Sequence, residues 1–504
     1  MAKRTSIKPP RSKPPVEPPA ENISTQPTRR KRTSTTARRP VPAEQPAPES
    51  GRQTSSADSL HILMVTPEAR PFAKTGGLAD VCGALPLALA RLGHHVTVVL
   101  PRYRGIEPGT GVRDIRVPLG VHDYRVRFSE RPMGEGVTAV LVDAPDLYDR
   151  DGLYGDARGD YRDNAFRFAV LSRAALEYAR TAPRPVSVMH AHDWQAGLVP
   201  VYARTLLAND AVISRIPIVV TIHNLAFQGL FEAAELPWLG LSVDLFRPDR
   251  LEFWGRASAL KGGVQFADTI TTVSPTYARE ILTPEYGFGF EGILASRARD
   301  LVGILNGIDT DAWNPETDPH LPEHFSPASP EGKRDVKRAL LSAAGLRDDK
   351  AGLRRPAIGM VSRLTHQKGF DLIAKAMPEL LAIDAAWIML GNGDRSYEEF
   401  WSALARRQPG RVAAHIGFDE RLAHLIEGGA DLFLMPSRYE PCGLNQMYSL
   451  RYGTIPIVFA TGGLDDTVID ADADARAGTG FKFVQYAPDA LVDAVGRALK
   501  AFAN

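Results

Sequence analysis

The chain has 504 residues, of which 44% are hydrophobic and 24% are charged, and its formal net charge is +1. This composition is ordinary for a globular protein, and the length is sufficient for two domains. It excludes a membrane-spanning helix and a secretory signal, because no apolar run approaches ~18 residues and the first residues lack an apolar core. We therefore expect a cytoplasmic protein without a membrane partner.

Residues 1–58 are predicted to form a disordered tail. They contain twelve Lys and Arg against five Asp and Glu, eleven prolines in the first fifty positions and no aromatic residue. Such a segment cannot bury enough apolar surface to offset the loss of chain entropy on folding. Its basic clusters at 29–32 and 38–39 are typical of a solvated extension, and binding to nucleic acid or to an acidic partner is the less favoured alternative.

The first folded element is a buried strand that leads into a glycine-rich turn and a helix. Residues 61–66 form an apolar run, and apolar residues recur at helical spacing over 78–92. Between them, Lys74, Gly76 and Gly77 form a turn at the carboxyl end of the strand, where the unpaired N–H groups of a helix and a lysine can bind an anion. A tight turn with a solvated lysine is the alternative, because the run is neither a P-loop nor a dinucleotide-binding fingerprint.

Short apolar strands alternate with helical stretches along the rest of the chain. The first series includes the strands predicted at 95–100, 186–192 and 216–224, and a second series begins near residue 357. This pattern is typical of parallel sheets that are covered by helices on both faces. A stretch rich in Pro, Asp and Asn at 306–335 separates the two series, so we predict two α/β domains with a connection there.

Polar and charged residues follow many of the predicted strands. In open α/β sheets, ligands bind at the carboxyl ends of the strands. These residues are too many to serve only as helix caps, so we predict a catalytic cleft between the two domains. They are Lys74, His192 with Asp193, His223 with Asn224, Arg363 with Lys368, Gly391 with Asp394, Arg438 with Glu440, and Gly462 with Gly463.

Several longer runs carry a family resemblance. They are KTGGLADV (74–81), HAHDWQAG (190–197), TIHNLAFQG (221–229), TVSPTYAREI (272–281), LNGIDTDAWNPETD (305–318), VSRLTHQKG (361–369) and PSRYEPCGLNQMYSLRYGTIP (436–456). In kind and in order they resemble the runs of bacterial glycogen synthases and plant starch synthases. The resemblance covers nearly all of residues 60–504.

The resemblance implies a GT-B fold, in which two Rossmann-like, doubly wound α/β domains face each other across an interdomain cleft. The first domain, with the acceptor site and the phosphate loop, is expected at 59–305, and the second, which binds the nucleotide sugar, at 306–504. The implied reaction transfers glucose from ADP-glucose to the non-reducing end of an α-1,4-glucan such as glycogen, with retention of configuration and release of ADP. Neither a metal nor another cofactor is expected.

The matching motifs imply roles for individual residues. Arg363 and Lys368 would neutralise the leaving diphosphate, Asp163 and His192 would line the sugar subsite, and Glu440 matches the family's carboxylate near the transferred glucose. The residues implied to hold the donor are Lys74, Gly76, Gly77, Asp80, Asn224, Cys442, Gly443 and Leu444.

These residue types also suit the chemistry independently of the resemblance. Breaking a sugar–phosphate bond develops negative charge on the diphosphate and positive charge on the sugar, so cations belong on one side and carboxylate oxygens on the other. Glycosidases use two carboxylates, but a nucleoside diphosphate leaves readily and needs less help from an acid. Whether Glu440 is a nucleophile or an electrostatic and positioning group stays open.

Three alternatives compete with this interpretation. His190 and His192 with Asp193 could hold a metal, as in amidohydrolases, although their position in the middle of doubly wound units fits poorly. A related transferase could use UDP-glucose or another acceptor. A non-catalytic glucan-binding protein is the third alternative, and the presence of Lys74 and Glu440 speaks against it.

Three further features bear on these predictions. Cys82 and Cys442 lie in different predicted domains, which argues against a structural disulfide or a cysteine metal site. Asn445 stands where the family usually has threonine, and it keeps the capacity to form hydrogen bonds. Family members generally continue past the position of Ala503 with helices that cross back onto the first domain, so we expect weaker coupling between the domains here.

Overall fold

The computed structural model of the protein describes residues 59–503, and the predicted tail at 1–58 lies outside the described residues. In chain order the strands are β1 (His61–Val65), β2 (His95–Pro101), β3 (Thr110–Leu119), β4 (His122–Gly134), β5 (Val137–Asp143), β6 (Gly155–Asp156), β7 (Gly159–Asp160), β8 (Val188–His192), β9 (Ile218–Ile222), β10 (Leu230–Phe231), β11 (Glu252–Phe253), β12 (Arg256–Ser258), β13 (Thr269–Thr272), β14 (Leu301–Gly303), β15 (Ala357–Val361), β16 (Ala386–Gly391), β17 (Val412–Ile416), β18 (Leu432–Met435), β19 (Ile455–Phe459) and β20 (Phe481–Phe483).

The α-helices are α1 (Gly77–Arg91), α2 (Pro145–Tyr148), α3 (Asn164–Thr181), α4 (Asp193–Ala196), α5 (Leu198–Arg204), α6 (Ala259–Phe266), α7 (Pro275–Glu280), α8 (Glu291–Ser296), α9 (Gly332–Ala343), α10 (Lys350–Arg354), α11 (Phe370–Leu380), α12 (Arg395–Arg407), α13 (Glu420–Gly429), α14 (Asn445–Arg451), α15 (Gly462–Thr467) and α16 (Pro488–Ala503). Short 3₁₀ turns lie at Ile213–Arg215, Ala233–Glu235, Val243–Leu245 and His366–Lys368. None of the described helices is long and apolar enough to cross a membrane.

The first sheet has nine strands in the order β14-β13-β9-β8-β1-β2-β5-β4-β3. The strands from β14 to β5 pair in parallel, and β1 is buried along its whole length, which explains its continuous apolar run. The predicted parallel pairing holds for these seven strands, and at one edge β3, β4 and β5 pair antiparallel. Along most of β3, exposed and less exposed residues alternate, as expected for a strand with one solvated face.

The second sheet has six parallel strands in the order β17-β16-β15-β18-β19-β20. Trp387 and Met389 of β16 join the core under α11 and α16, whereas Ile388 and Leu390 join the core under α9 and α13. Successive residues of the strand therefore serve opposite faces. This doubly wound arrangement confirms the prediction of helices on both faces of the sheet.

The two sheets are joined by direct contacts between α7 and α15. The N–H and Oγ1 of Thr276 donate to the carboxylate of Asp466 at 2.7 and 2.6 Å, and Ser274 Oγ donates to the carbonyl of Pro441 at 2.7 Å. Between Gly303 and Gly332 the described chain has no helix or strand beyond an isolated bridge. The domain boundary at 305/306 stays a prediction.

Candidate active site

A cavity of about 830 Å³ opens between the two sheets, and both contribute to its wall. Among the residues that follow predicted strands, Asp394, Arg438, Gly462 and Gly463 do not line this cavity. All the residues for which the resemblance implies a role line it except Asp163 and His192. The lining ones are Lys74, Gly76, Gly77, Asp80, Asn224, Arg363, Lys368, Glu440, Cys442, Gly443 and Leu444. Residues separated by more than 350 positions in the chain therefore meet at one site.

The turn before α1 is held by two carboxylates. Glu68 is buried, and its Oε2 and Oε1 accept hydrogen bonds from the N–H and Oγ1 of Thr75 at 2.5 and 2.6 Å. Asp80 Oδ1 lies 2.8 Å from Lys74 Nζ and 3.4 Å from Arg70 Nη1. The lysine is thus kept at the start of α1, where unpaired N–H groups and the helix dipole favour an anion.

The backbone and the surroundings of Gly76 and Gly77 show what the two glycines of this turn contribute. Gly76 has an extended backbone, with φ −159° and ψ −165°, which other residues also adopt. A Cβ on Gly76 would meet no protein atom within 4 Å, and one on Gly77 would lie 3.4 Å from Leu444 Cδ1. The absence of side chains at Gly76 and Gly77 leaves space at the cavity wall.

A buried ion pair lies on the opposite wall. Lys368 Nζ lies 2.5 Å from Glu440 Oε2, which also accepts from Ser437 Oγ at 2.9 Å. Gly369 allows this placement, because its φ is +80° and a side chain there would collide with the carbonyl oxygen of Pro436. The Glu440 side chain is only 7% exposed, so its charge is compensated mainly by Lys368.

Arg363 differs from Lys368 because its guanidinium has no partner in the part of the chain that the structure describes. Its side chain is exposed and lines the cavity, and no hydrogen bond or ion pair joins its guanidinium to another described residue. A guanidinium in this state is free to bind two oxygens of a diphosphate.

The turn at residues 442–444, before α14, forms part of the cavity wall opposite the Lys74–Gly77 turn. Cys442, Gly443 and Leu444 precede α14, and Gly443 has φ +73°. Gln446 Nε2 donates to the carbonyls of Cys442 and Gly443 at 2.9 and 3.2 Å, while the N–H groups of residues 442–444 donate to no described acceptor. Burial raises the pKa of the Cys442 thiol to about 12, which argues against a redox role. Both cysteines are free, as predicted.

Three histidines form a neutral cluster at the cavity wall, and one of them, His223, lines the cavity. His192 Nδ1 lies 3.0 Å from His223 Nε2, and His190 Nε2 lies 2.6 Å from Thr221 Oγ1. Burial lowers the pKa of His190 to about 4 and that of His223 to about 3. Among the residues 59–503, no group of three or more His, Cys, Asp or Glu could hold a metal ion, so the metal-pair alternative finds no support.

Two predicted sugar-subsite residues do not line the cavity. His192 is fully buried within the histidine cluster, and its Nε2 has no hydrogen-bond partner among the described residues. Asp163 precedes α3, and its two carboxylate oxygens accept from Arg150 at 2.7 and 2.6 Å. The sequence motifs predict that these residues lie near the site. They do not predict that the carboxylate of Asp163 binds Arg150 or that the ring of His192 packs against other histidines. Their roles stay predictions.

Sequence reasoning underrated two acidic residues of the wall, Glu68 and Asp193. Asp193 has φ +56°, and its Oδ1 accepts from the N–H of His223 at 2.7 Å. Burial raises the pKa of Asp193 to about 7. Both residues closely follow the ends of β1 and β8, and this was the available signal.

Comparisons with known proteins agree with this geometry. A family model described as "Starch synthase catalytic domain" matches residues 61–296, and one described as "Glycosyl transferases group 1" matches residues 347–501. A glycogen synthase from Anaeromyxobacter dehalogenans (strain 2CP-C) is 52% identical over 88% of this chain and 92% of its own length. One from Koribacter versatilis (strain Ellin345) is 49% identical over 88% and 91%.

Solved structures point the same way. The catalytic domain of starch synthase IV from Arabidopsis thaliana, bound to ADP and acarbose, has a TM-score of 0.80 and 34% identity, and the match covers 88% of this chain and 92% of that one. Sucrose-phosphate synthase from Thermosynechococcus elongatus, with a TM-score of 0.56 and 19% identity over 88% and 90%, shares the fold alone. Two doubly wound sheets facing one cavity are the GT-B architecture, and the chain belongs to the glycogen synthase family of glycosyltransferases.

Proposed function

We propose that the protein uses this cavity to transfer glucose from ADP-glucose to the non-reducing end of an α-1,4-glucan, with retention of configuration and release of ADP. The main support is that the Lys74–Gly77 turn and the Lys368–Glu440 ion pair face each other across one cavity. The similarity of the chain to glycogen synthases is the second support. The presence of ADP in the Arabidopsis starch synthase structure supports an adenine nucleotide, and the similarity to glycogen synthases supports a glucan acceptor.

The positive groups suit the leaving diphosphate. Lys74 and the first N–H groups of α1 approach it from one wall, and Arg363 and Lys368 approach it from the other. Negative charge grows on the diphosphate as the bond to glucose breaks, so groups that are already fixed there stabilise the transition state more than the ground state.

The negative groups suit the sugar. Positive charge grows on the glucose ring, and Glu440 and Asp193 are the acidic side chains that we assign to this side. Because Lys368 and Ser437 both bind Oε2 of Glu440, we propose a positioning and electrostatic role for this carboxylate rather than that of a nucleophile. The leaving phosphate would then accept the proton of the acceptor hydroxyl on the same face of the sugar, which retains the configuration.

We also propose that the reaction needs no metal or other cofactor. The support is that Lys74, Arg363 and Lys368 supply the positive charge that Mg²⁺ supplies to diphosphates in other transferases. Turnover should therefore be unchanged after treatment with EDTA, and a loss that Mg²⁺ restores would contradict this proposal.

The test is a transfer assay with glycogen and either ADP-glucose or UDP-glucose, in which release of the nucleoside diphosphate is measured. We expect release of ADP that depends on glycogen, and new α-1,4 linkages in the product by NMR. A preference for UDP-glucose would overturn the donor assignment, and release without elongation of glycogen would overturn the acceptor assignment.

A further inference from the structure

Exposed aromatic side chains lead from the cavity wall onto the protein surface. Phe227 lines the cavity and is 52% exposed. The next residue, Gln228, donates from Nε2 to the carbonyl of Phe288 at 3.0 Å. Phe288 is followed by Gly289, where a Cβ would lie 3.0 Å from Nε1 of Trp254. Phe227, Phe288 and Trp254 therefore lie on neighbouring segments of the surface, and we call them the aromatic path.

Trp254 lies at the tip of a two-residue hairpin turn. β11 and β12 pair Phe253 with Arg256, so Trp254 and Gly255 form the turn, and their φ values are +51° and +80°. Positive φ at both central residues is what a type I′ hairpin turn requires, so the turn accounts for the backbone conformation of Trp254. The turn presents the indole to solvent, and Trp254 is 82% exposed.

The aromatic path also reaches the catalytic wall from the second sheet. The ring of Phe288 lies edge-on to Tyr439, with 5.4 Å between their centroids, and Tyr439 directly precedes Glu440. A ligand chain that leaves the cavity beside Glu440 would thus meet Phe288 first and then Trp254. Continuity with the cavity makes the acceptor chain the natural occupant.

We propose that the aromatic path binds the α-glucan acceptor at sugar units beyond those that enter the cavity. The faces of glucose rings expose C–H groups, and a flat, exposed aromatic ring buries such a surface at low entropic cost. This inference rests on the proposed function, because it takes the occupant to be the glucan acceptor.

The test compares long and short acceptors in Trp254→Ala, Phe288→Ala and Trp254→Phe. We expect KM for glycogen to rise ~3- to 10-fold in the two alanine variants, as for the loss of one aromatic contact. KM for maltotriose and for ADP-glucose should stay unchanged, because the path lies beyond the sugars inside the cavity. Trp254→Phe should restore most of the affinity for glycogen.

The matched control is Trp238→Ala, since Trp238 is 62% exposed and does not line the cavity. Its KM for glycogen should equal that of the unchanged protein. An unaltered KM for glycogen in Trp254→Ala, or an equal rise with maltotriose, would overturn the proposal. A changed oligomeric state without a changed KM would assign the path to contacts between copies instead. If the unchanged protein transfers glucose to no acceptor, the proposed function is wrong. That result differs from the results that would overturn the role of the aromatic path, because those require an active unchanged protein.

Discussion

At the scale of single residues, the Lys368–Glu440 pair gives the sharpest prediction. Glu440→Ala and Lys368→Ala should each lower kcat by on the order of 100-fold or more, because fixed charges beside the reacting atoms contribute at the transition state. The measurement is ADP release at saturating ADP-glucose. Lys375→Ala is a suitable control, since that exposed lysine lies on α11 and its nearest carboxylate oxygen is 3.9 Å away.

The circular dichroism spectrum of each variant should match that of the unchanged protein. Glu440→Gln adds a second comparison, because it keeps the shape of the side chain and removes the charge. A Glu440→Gln variant with near-normal kcat would show that the charge of Glu440 has no part in the reaction.

Glu427 gives a prediction about pH. This buried side chain accepts from Ser449 Oγ at 2.5 Å and from Asn445 Nδ2 at 3.1 Å, and burial raises its pKa to about 8. Between pH 4.5 and about 8 the folded state therefore keeps a proton that the unfolded chain has lost, so the free energy of unfolding falls as pH rises. In Glu427→Gln this part of the fall should be absent.

Urea unfolding of both proteins between pH 5 and 8 tests this expectation. Asp193, with a pKa raised to about 7, titrates in the same window, so the slope in Glu427→Gln should be smaller than in the unchanged protein and not zero. Lys333, with a pKa lowered by burial to about 8, contributes mainly at higher pH. Parallel slopes would mean that Glu427 is ionised in the folded state throughout.

At the scale of elements, α7 and α15 form the joint between the sheets. Asp466 accepts two hydrogen bonds from the first turn of α7, and Glu280 Oε1 accepts from Thr461 Oγ1 at 2.9 Å and from the N–H of Gly462 at 3.0 Å. Asp466→Ala should lower the free energy of unfolding by about 1 kcal/mol, because it leaves two partly buried donors of Thr276 without this partner. We expect kcat and KM to change together, as at a hinge.

Thermal unfolding of Asp466→Ala against Asp348→Ala measures this effect. Asp348 is exposed, and no hydrogen bond or ion pair of its side chain joins it to the described residues. Equal melting temperatures in the two variants would show that the joint does not depend on Asp466.

Sequence patterns predicted the helices and strands that depend on local spacing, but not the contacts between distant parts of the chain. The strand predicted at 61–66 and the helix predicted at 78–92 match β1 and α1 to within one residue, because both depend on local apolar spacing. The motifs likewise predicted that Lys74 and Glu440 belong to one site, and both residues line the same cavity. The arginine beside Asp163, the histidines around His192 and the antiparallel edge of the first sheet depend on partners that only the folded chain brings together.

At the scale of the whole molecule, the cavity requires the two sheets to approach each other. In this conformation Leu444 lies against Gly77, and Arg70 Nη2 lies 2.7 Å from Glu420 Oε1 across the mouth. These contacts are few and partly exposed, and an exposed ion pair contributes at most ~1 kcal/mol. Without a ligand we therefore expect the sheets to separate, and with ADP we expect the diphosphate to draw Lys74, Arg363 and Lys368 together.

Small-angle X-ray scattering with and without saturating ADP tests this movement. The radius of gyration should fall on addition of ADP and should fall less in Arg363→Ala, where one wall loses its unpaired cation. Glu420→Ala removes only the ion pair at the mouth, so its free form should be at least as open and its ADP-bound form should still be compact. An unchanged radius of gyration at saturating ADP would mean that the walls are already fixed in position, and donor affinity would then carry no cost of closure.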